Sequence, residues 1–179
     1  MDEKMSSKVM TLKTEHLVIR EWNIQDAHSF YPLSSDPGIN AGPLPSFAQE
    51  NISAAEKKII EWALTFGQTK MGILPIFLAN GKTLIGICGI KPRLLQKEGP
   101  MQFEVICQLS QEYMEAFTVE ALQAISNYGF TELGLKELIH LCPPESTDAR
   151  QVMEKSGMRF LKTTQVHKRP VDIFHVTAQ

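Results

Sequence analysis

Two neighbouring features of this sequence have residue types suited to chemistry. Glu104 stands early in an apolar run from Gln102 to Leu109, and a carboxylate there can accept a proton through water or hold a cation. Its plainer alternatives are a solvated strand carboxylate or a partner for Arg93 or Lys91. Directly after the run, the segment Ser110 to Thr118 feeds a helix N-terminus. Unpaired backbone N–H groups and the positive dipole end make such a terminus a site for an anion, typically a phosphate. A phosphate cradle usually carries Gly with Lys or Arg, whereas this one carries Met114, Glu115 and Ala116. A carboxylate about 6 Å from a phosphate charge costs roughly 0.7–2.8 kcal/mol, unless Glu115 turns outward.

Other reactive residue types read more plainly. His140 lies between Ile139 and Leu141, and a lone histidine in an apolar strand is read as a hydrogen-bonded packing residue before a proton carrier. Cys107 is an intrinsic nucleophile, but no base stands beside it in sequence, so it reads as a small buried hydrophobe, as do Cys88 and Cys142. The five histidines show no ligand spacing, and no metal site is expected.

The elements that must position these groups follow from periodicity. Leu12 to Trp22 alternates as one strand, and Asn23 to Asp26 starts a short helix stopped by Pro37 and Gly38. Asn40 to Phe47, with Gly42, Pro43 and Pro45, is expected as an ordered loop. A helix beginning at Ser46 or Gln49 carries Ile52, Ile59, Ile60, Ala63 and Leu64. Ile73–Ala79 and Leu84–Ile90 form a hairpin, and Asn80 with Gly81 predicts a tight turn with positive φ at both. A loop over Lys91–Met101 precedes the strand that holds Glu104. The helix after it shows one apolar face through Phe117, Ala121, Ile125 and Tyr128. Leu138–Cys142 is a strand, and Ser146 to Asp148 caps a helix closed by Gly157. Met158–Val166 and Val171–Thr177 finish as antiparallel strands. The last of these could pair across a homodimer or lie inside the sheet; Trp22, Phe30, Tyr31 and the 42–47 loop could wall an acceptor pocket or be core. The order predicts one α/β domain of α+β type over residues 11–179, behind a polar leader, 1–10.

Composition narrows the class. Apolar residues are 43%, charged residues 21% and the net charge −2, so neither nucleic acid nor an anionic membrane surface is an expected partner. Three cysteines without C-x-x-C spacing suit a reducing compartment, and neither a transmembrane run nor a signal peptide is recognised, so a cytoplasmic location is expected.

Five segments in order resemble the GNAT acetyltransferase superfamily in its ribosomal-protein N-acetyltransferase branch. They are Leu12–Arg20 with Asp26-Ala27 and Ser35-Asp36-Pro37, then Leu84–Ile90, Glu120–Leu122 with Tyr128–Phe130, Leu133–Leu135, and Glu154–Met158. The resemblance implies a mostly antiparallel central sheet flanked by helices, with acetyl-CoA as co-substrate and direct transfer of acetyl to a primary amine of a small molecule or a peptide or protein N-terminus. It places the pantetheine arm along Cys107, Gln108 and Leu109, and the diphosphate over the helix start at Ala116, Phe117, Thr118 and Val119. Ser146 joins the cofactor set, Lys155 and Arg159 could contact an outer cofactor phosphate or be only the cation-rich end of a helix, and Glu104 is read as general base or as a receptor for the amine's charge. The family's loop motif, R/Q-x-x-G-x-G/A, falls on Tyr113, Ala116 and Thr118, and Met153 stands where some branches have a tyrosine acid. Those departures leave a second reading: a catalytically degenerate GNAT-fold binding or regulatory module. A helix N-terminus with open N–H groups fits the enzyme; one covered by Met114 or Phe117 fits the module.

Overall fold

The alternating stretch from Leu12 to Trp22 builds sheet in two pieces, where the sequence predicts one strand. β1 (Thr11–Lys13) and β2 (Leu17–Arg20) fold back on each other as an antiparallel pair. The break is local in cause: the Thr14 N–H donates to the Leu17 carbonyl, and the Leu17 N–H donates to the Thr14 hydroxyl oxygen. The computed structural model describes residues 9–41, 45–96, 98–144, 147–166 and 168–179. The expectations for leader residues 1–8, for Gly42 and Pro43, and for Ser146 lie outside them.

A turn of 3-10 helix, Ile24–Asp26, leads into α1 (Ala27–Leu33). The second helix, α2 (Ile52–Thr69), starts later than expected, because Asn51 rather than Ser46 or Gln49 supplies the cap, accepting from the Ala54 N–H at 2.8 Å. β3 (Gly72–Leu78) and β4 (Leu84–Leu94) form the expected hairpin, but its turn is longer than two residues. Only Gly81 has positive φ; the Asn80 side chain instead accepts from the Lys82 and Thr83 amides, spreading the turn. The expected loop over 91–101 is shorter too, because Lys91–Leu94 stays paired with β5 (Met101–Leu109). Then follow α3 (Met114–Thr131), β6 (Glu137–Cys142), α4 (Thr147–Lys155), β7 (Arg159–Val166) and β8 (Arg169–Thr177).

The eight strands form one sheet in the order β1-β2-β3-β4-β5-β6-β8-β7. Every neighbouring pair is antiparallel except β5 and β6, which the crossover through α3 makes parallel. β8 lies between β6 and β7, so the inner-strand reading holds and that strand has no free edge for a second subunit.

Each sheet face carries its own core. Leu17, Ile90, Val105, Leu138 and Phe174 pack with Ala121, Leu122 and Ile125 of α3 on one face. Trp22, Phe30, Ile59, Trp62, Ile87 and Ile106 form the other, beneath α1 and α2. Trp22 stacks on Trp62 at 5.5 Å and its indole N–H donates to the Ile73 carbonyl, so this aromatic group is core.

The segment after α1 is locked onto the end of β5. Asp36 Oδ1 accepts from the Gly38 N–H at 2.8 Å and the Gln111 N–H at 2.9 Å. Gly38 is there because nothing larger fits: a Cβ on it would stand 2.3 Å from the Leu109 carbonyl oxygen and 2.7 Å from the Gln111 nitrogen. Both are backbone atoms that cannot swing aside. Gly38→Ala is therefore expected to destabilise the fold by about 1–3 kcal/mol in urea titration, and an unchanged midpoint would contradict this packing.

Candidate active site

The site is an opening between two strands. The Ser110 N–H donates to the Ile85 carbonyl at 2.8 Å, and the β4–β5 register runs without a break from Gly86↔Leu109 to Leu94↔Met101. Strand alternation then turns the peptide groups of Glu104, Ile106 and Gln108 toward β4, and those of Phe103, Val105, Cys107 and Leu109 toward β6. β5 and β6 share a single register pair, Glu104↔Ile139. Beyond it the Cys107 peptide N–H and C=O face the gap without a strand partner.

The gap leads to the start of α3, which begins at Met114, two residues before the expected Ala116. Ser110 causes the early start, its carbonyl accepting from both the Tyr113 and Met114 amides at 3.0 Å. Phe117 N–H is taken by the Tyr113 carbonyl, and Thr118 and Val119 lie inside the helix. The N–H groups of Glu115 and Ala116 are left without an acceptor among the described residues, while the Glu115 side chain is exposed. The Thr118 hydroxyl donates back to the Met114 carbonyl at 2.6 Å. The Phe117 ring lies 5.7 Å from His16 and stacks at 6.3 Å on Tyr113. Met114 packs against the core. Lys155 is exposed in the last turn of α4, about 12 Å along the axis from the helix start at Thr147.

Two titratable side chains, Glu104 and His140, lie where the strands part, on opposite faces of the sheet. Glu104 is 2% exposed and its Oε2 accepts from Arg93 Nε at 2.7 Å. This is the pairing that sequence held as the plainer reading. Its Oε1 has no partner among the described residues, yet no buried side-chain oxygen among them is left unsatisfied, so Oε1 touches solvent. Lys91, directly opposite Glu104, has its pKa lowered by burial, against the pull of Glu104 and with the push of Arg93.

His140, 9% exposed, places Nδ1 2.8 Å from the Val105 carbonyl oxygen. Burial lowers its pKa, opposed by the Val105 bond and by Glu104. Burial pushes the Cys107 thiol up to about 12, so it is a protonated thiol at neutral pH and not a nucleophile. His140 is the buried, hydrogen-bonded strand histidine that the sequence predicts, whereas the Asp36 clamp was missed; only the Asp36-Pro37-Gly38 turn signal hinted at it.

An internal strand edge that opens onto a free helix N-terminus defines a protein built to hold an extended, anion-tailed ligand. The family model for the acetyltransferase (GNAT) domain matches residues 16–159. The uncharacterised N-acetyltransferase YnaD of Bacillus subtilis is 29% identical over 153 residues, 84% of this chain and 83% of that protein. A GNAT-family acetyltransferase structure from Bacillus anthracis superposes with TM-score 0.72 at 22% identity, covering 94% of this chain and 98% of that one. The ribosomal L7/L12 α-N-protein acetyltransferase RimL, solved with coenzyme A, gives TM-score 0.75 at 9% identity, covering 94% and 98%. This chain belongs to the GNAT acetyltransferase family.

Because His140 has a lower pKa folded than unfolded, the unfolded chain binds its proton more readily. The associated stability is complete above the ordinary histidine value, about 6.5, and is lost as pH falls through the folded value. His140→Asn is expected to flatten the fall of the urea midpoint below about pH 6.5 relative to wild type. Parallel curves for the two proteins would contradict it.

Proposed function

We propose that this chain transfers acetyl from acetyl-CoA directly to a primary amine of a small molecule or of a peptide or protein N-terminus. The observation that carries the reading is the continuity of β5's open edge with the free N–H groups of α3. From Val105 to Leu109 the edge extends about 13 Å, a length suited to an amide-bearing arm with a diphosphate at its far end. Cys107 offers that arm a peptide donor and acceptor, with Gln108 and Leu109 continuing the strand beside it. Glu115 and Ala116 offer amides to the diphosphate. Phe117, Thr118 and Val119 contribute through the helix dipole, since their own amides are spent. Ser146 and Lys155 complete the proposed cofactor set.

Glu104 is assigned the acceptor's charge. With Oε2 on Arg93, Oε1 is free to receive an ammonium group directly or through water, and to act on its proton from there. The amine then attacks the thioester without a covalent enzyme intermediate, which agrees with the protonated state of Cys107. A non-catalytic module would be favoured by a covered helix terminus; Met114 packs against the core, and the Glu115 and Ala116 amides have no acceptor among the described residues. A homodimer is neither required nor favoured by this geometry.

Acetyl-CoA at about 100 times its dissociation constant should stabilise the fold by ~2.7 kcal/mol, a rise of several degrees in melting temperature. Absence of any shift at millimolar acetyl-CoA would sink the proposal; a shift followed by acetylation of an amine from a panel supports it. Glu115→Gln separates two opposing effects. It removes a favourable first-turn charge, lowering apo stability by about 0.3–1 kcal/mol, and it tightens acetyl-CoA by about threefold. Equal affinities by titration calorimetry would place that carboxylate away from the phosphates.

A further inference from the structure

A regular parallel ladder would continue past Val105, with its carbonyl accepting a backbone amide of β6. Instead that carbonyl receives the imidazole of His140, and the ladder ends. A neutral imidazole has one N–H, so donating it from Nδ1 leaves an unshared pair on Nε2. Nε2 has no partner among the described residues, and no buried side-chain nitrogen among them is left unsatisfied. Nε2 therefore reaches solvent, in a ring otherwise buried where the two strands part.

We infer that His140 is the proton carrier of acetyl transfer: Nε2 takes the proton that the attacking nitrogen must shed and delivers it to the departing sulfur. The inference rests on the acetyltransferase reading. The amine, as R–NH2, forms a bond from its lone pair to the thioester carbonyl carbon. One N–H bond then breaks and the proton moves to Nε2, giving an imidazolium whose Nδ1–H stays on Val105. The C–S bond breaks, the sulfur keeps the electron pair, and it takes the proton from Nε2. The products are the N-acetyl amide and the CoA thiol, the imidazole is neutral again, and nothing else is consumed. One ring can serve both atoms because nitrogen and sulfur are bonded to the same carbon.

Burial disfavours a lasting imidazolium, so the charge on the ring is transient and is offset only in part. Glu104 attracts it from β5, tempered by Arg93 and Lys91 on β4. On β8, Asp172 is neutralised by Arg150 of α4, and His175 is held by Glu137. Cys107 and Cys142 remain protonated thiols, raised by burial to about 12 and about 11. The buried face of α3 carries no charged residue. Glu104 projects from the opposite face of β5, the Ile106 side, whereas His140 shares the face of Leu138 and Cys142. The two groups thus divide the work: Glu104 takes the ammonium's first proton and returns it to water, giving R–NH2, and His140 carries the second from nitrogen to sulfur.

His140→Asn tests this, because an asparagine amide nitrogen can occupy the place of Nδ1 and keep the Val105 bond while Nε2 is lost. The expected result is a melting temperature and an acetyl-CoA affinity close to wild type, with kcat for the best amine of a panel down about 10²-fold and KM unchanged. A kcat within about twofold of wild type would overturn the inference. The second measurement uses the wild-type protein and needs no acceptor: long-range 1H–15N NMR of the imidazoles. His140 is expected as the Nδ1–H form at neutral pH, with an Nε2 resonance that moves on saturation with CoA while that of His175 does not. CoA binding, seen in the melting temperature, with no movement at His140 would defeat the inference alone. No binding of either acetyl-CoA or CoA would defeat the acetyltransferase reading and remove its basis.

Discussion

β5 is bonded along its whole length on one side and almost nowhere on the other, and the candidate site exists because of that asymmetry. Its pairing with β4 holds the strand straight from Met101 to Leu109. Its pairing with β6 stops at Glu104↔Ile139, where a side chain takes the place of the next rung. An internal strand edge with open peptide groups is normally avoided, since unpaired amides away from water are costly. Here the edge lies along a gap that water or a ligand fills, so the sheet carries an acceptor surface at its centre without losing continuity elsewhere.

The remaining elements keep this opening in shape. α3 packs its buried face on the β5 side and delivers its first turn to the mouth of the gap. β8 closes the far side of β6 with six register pairs, so β6 cannot drift back to complete the ladder without disturbing an ordered strand. Asp172, bonded to Arg150 and to the Thr163 hydroxyl, ties α4 to the last two strands. On the same face, the Glu120 carboxylate binds the β1–β2 turn to α3 through Thr14 and His16. Burial raises its pKa, and these bonds outweigh that and hold it below the usual carboxylate value.

Much of the architecture was legible in local pattern. The apolar runs of β3, β4 and β5, the helical spacing through Ala121 and Ile125, and the closing strands all fold as periodicity predicts. Local side-chain bonding explains the deviations. Thr14 breaks the first strand, Asn51 delays α2, Asn80 widens the hairpin turn and Ser110 advances α3. The site was harder to read because its bonds are distant in sequence: His140 and Val105 are 35 residues apart, and Asp36 and Gln111 are 75 apart. A motif argument sees a histidine in an apolar strand and ranks it as packing. Only the sheet topology brings that ring to the last rung of a ladder.

The Asp36 clamp has a consequence for motion. One carboxylate oxygen holds an amide from each of two segments, and Gly38 lies too close to Leu109 for either to slide past the other. The turn after α1 and the turn before α3 therefore cannot open independently. Local unfolding at the mouth of the gap is a single cooperative event with a shared free energy, in place of two loops breathing on separate clocks.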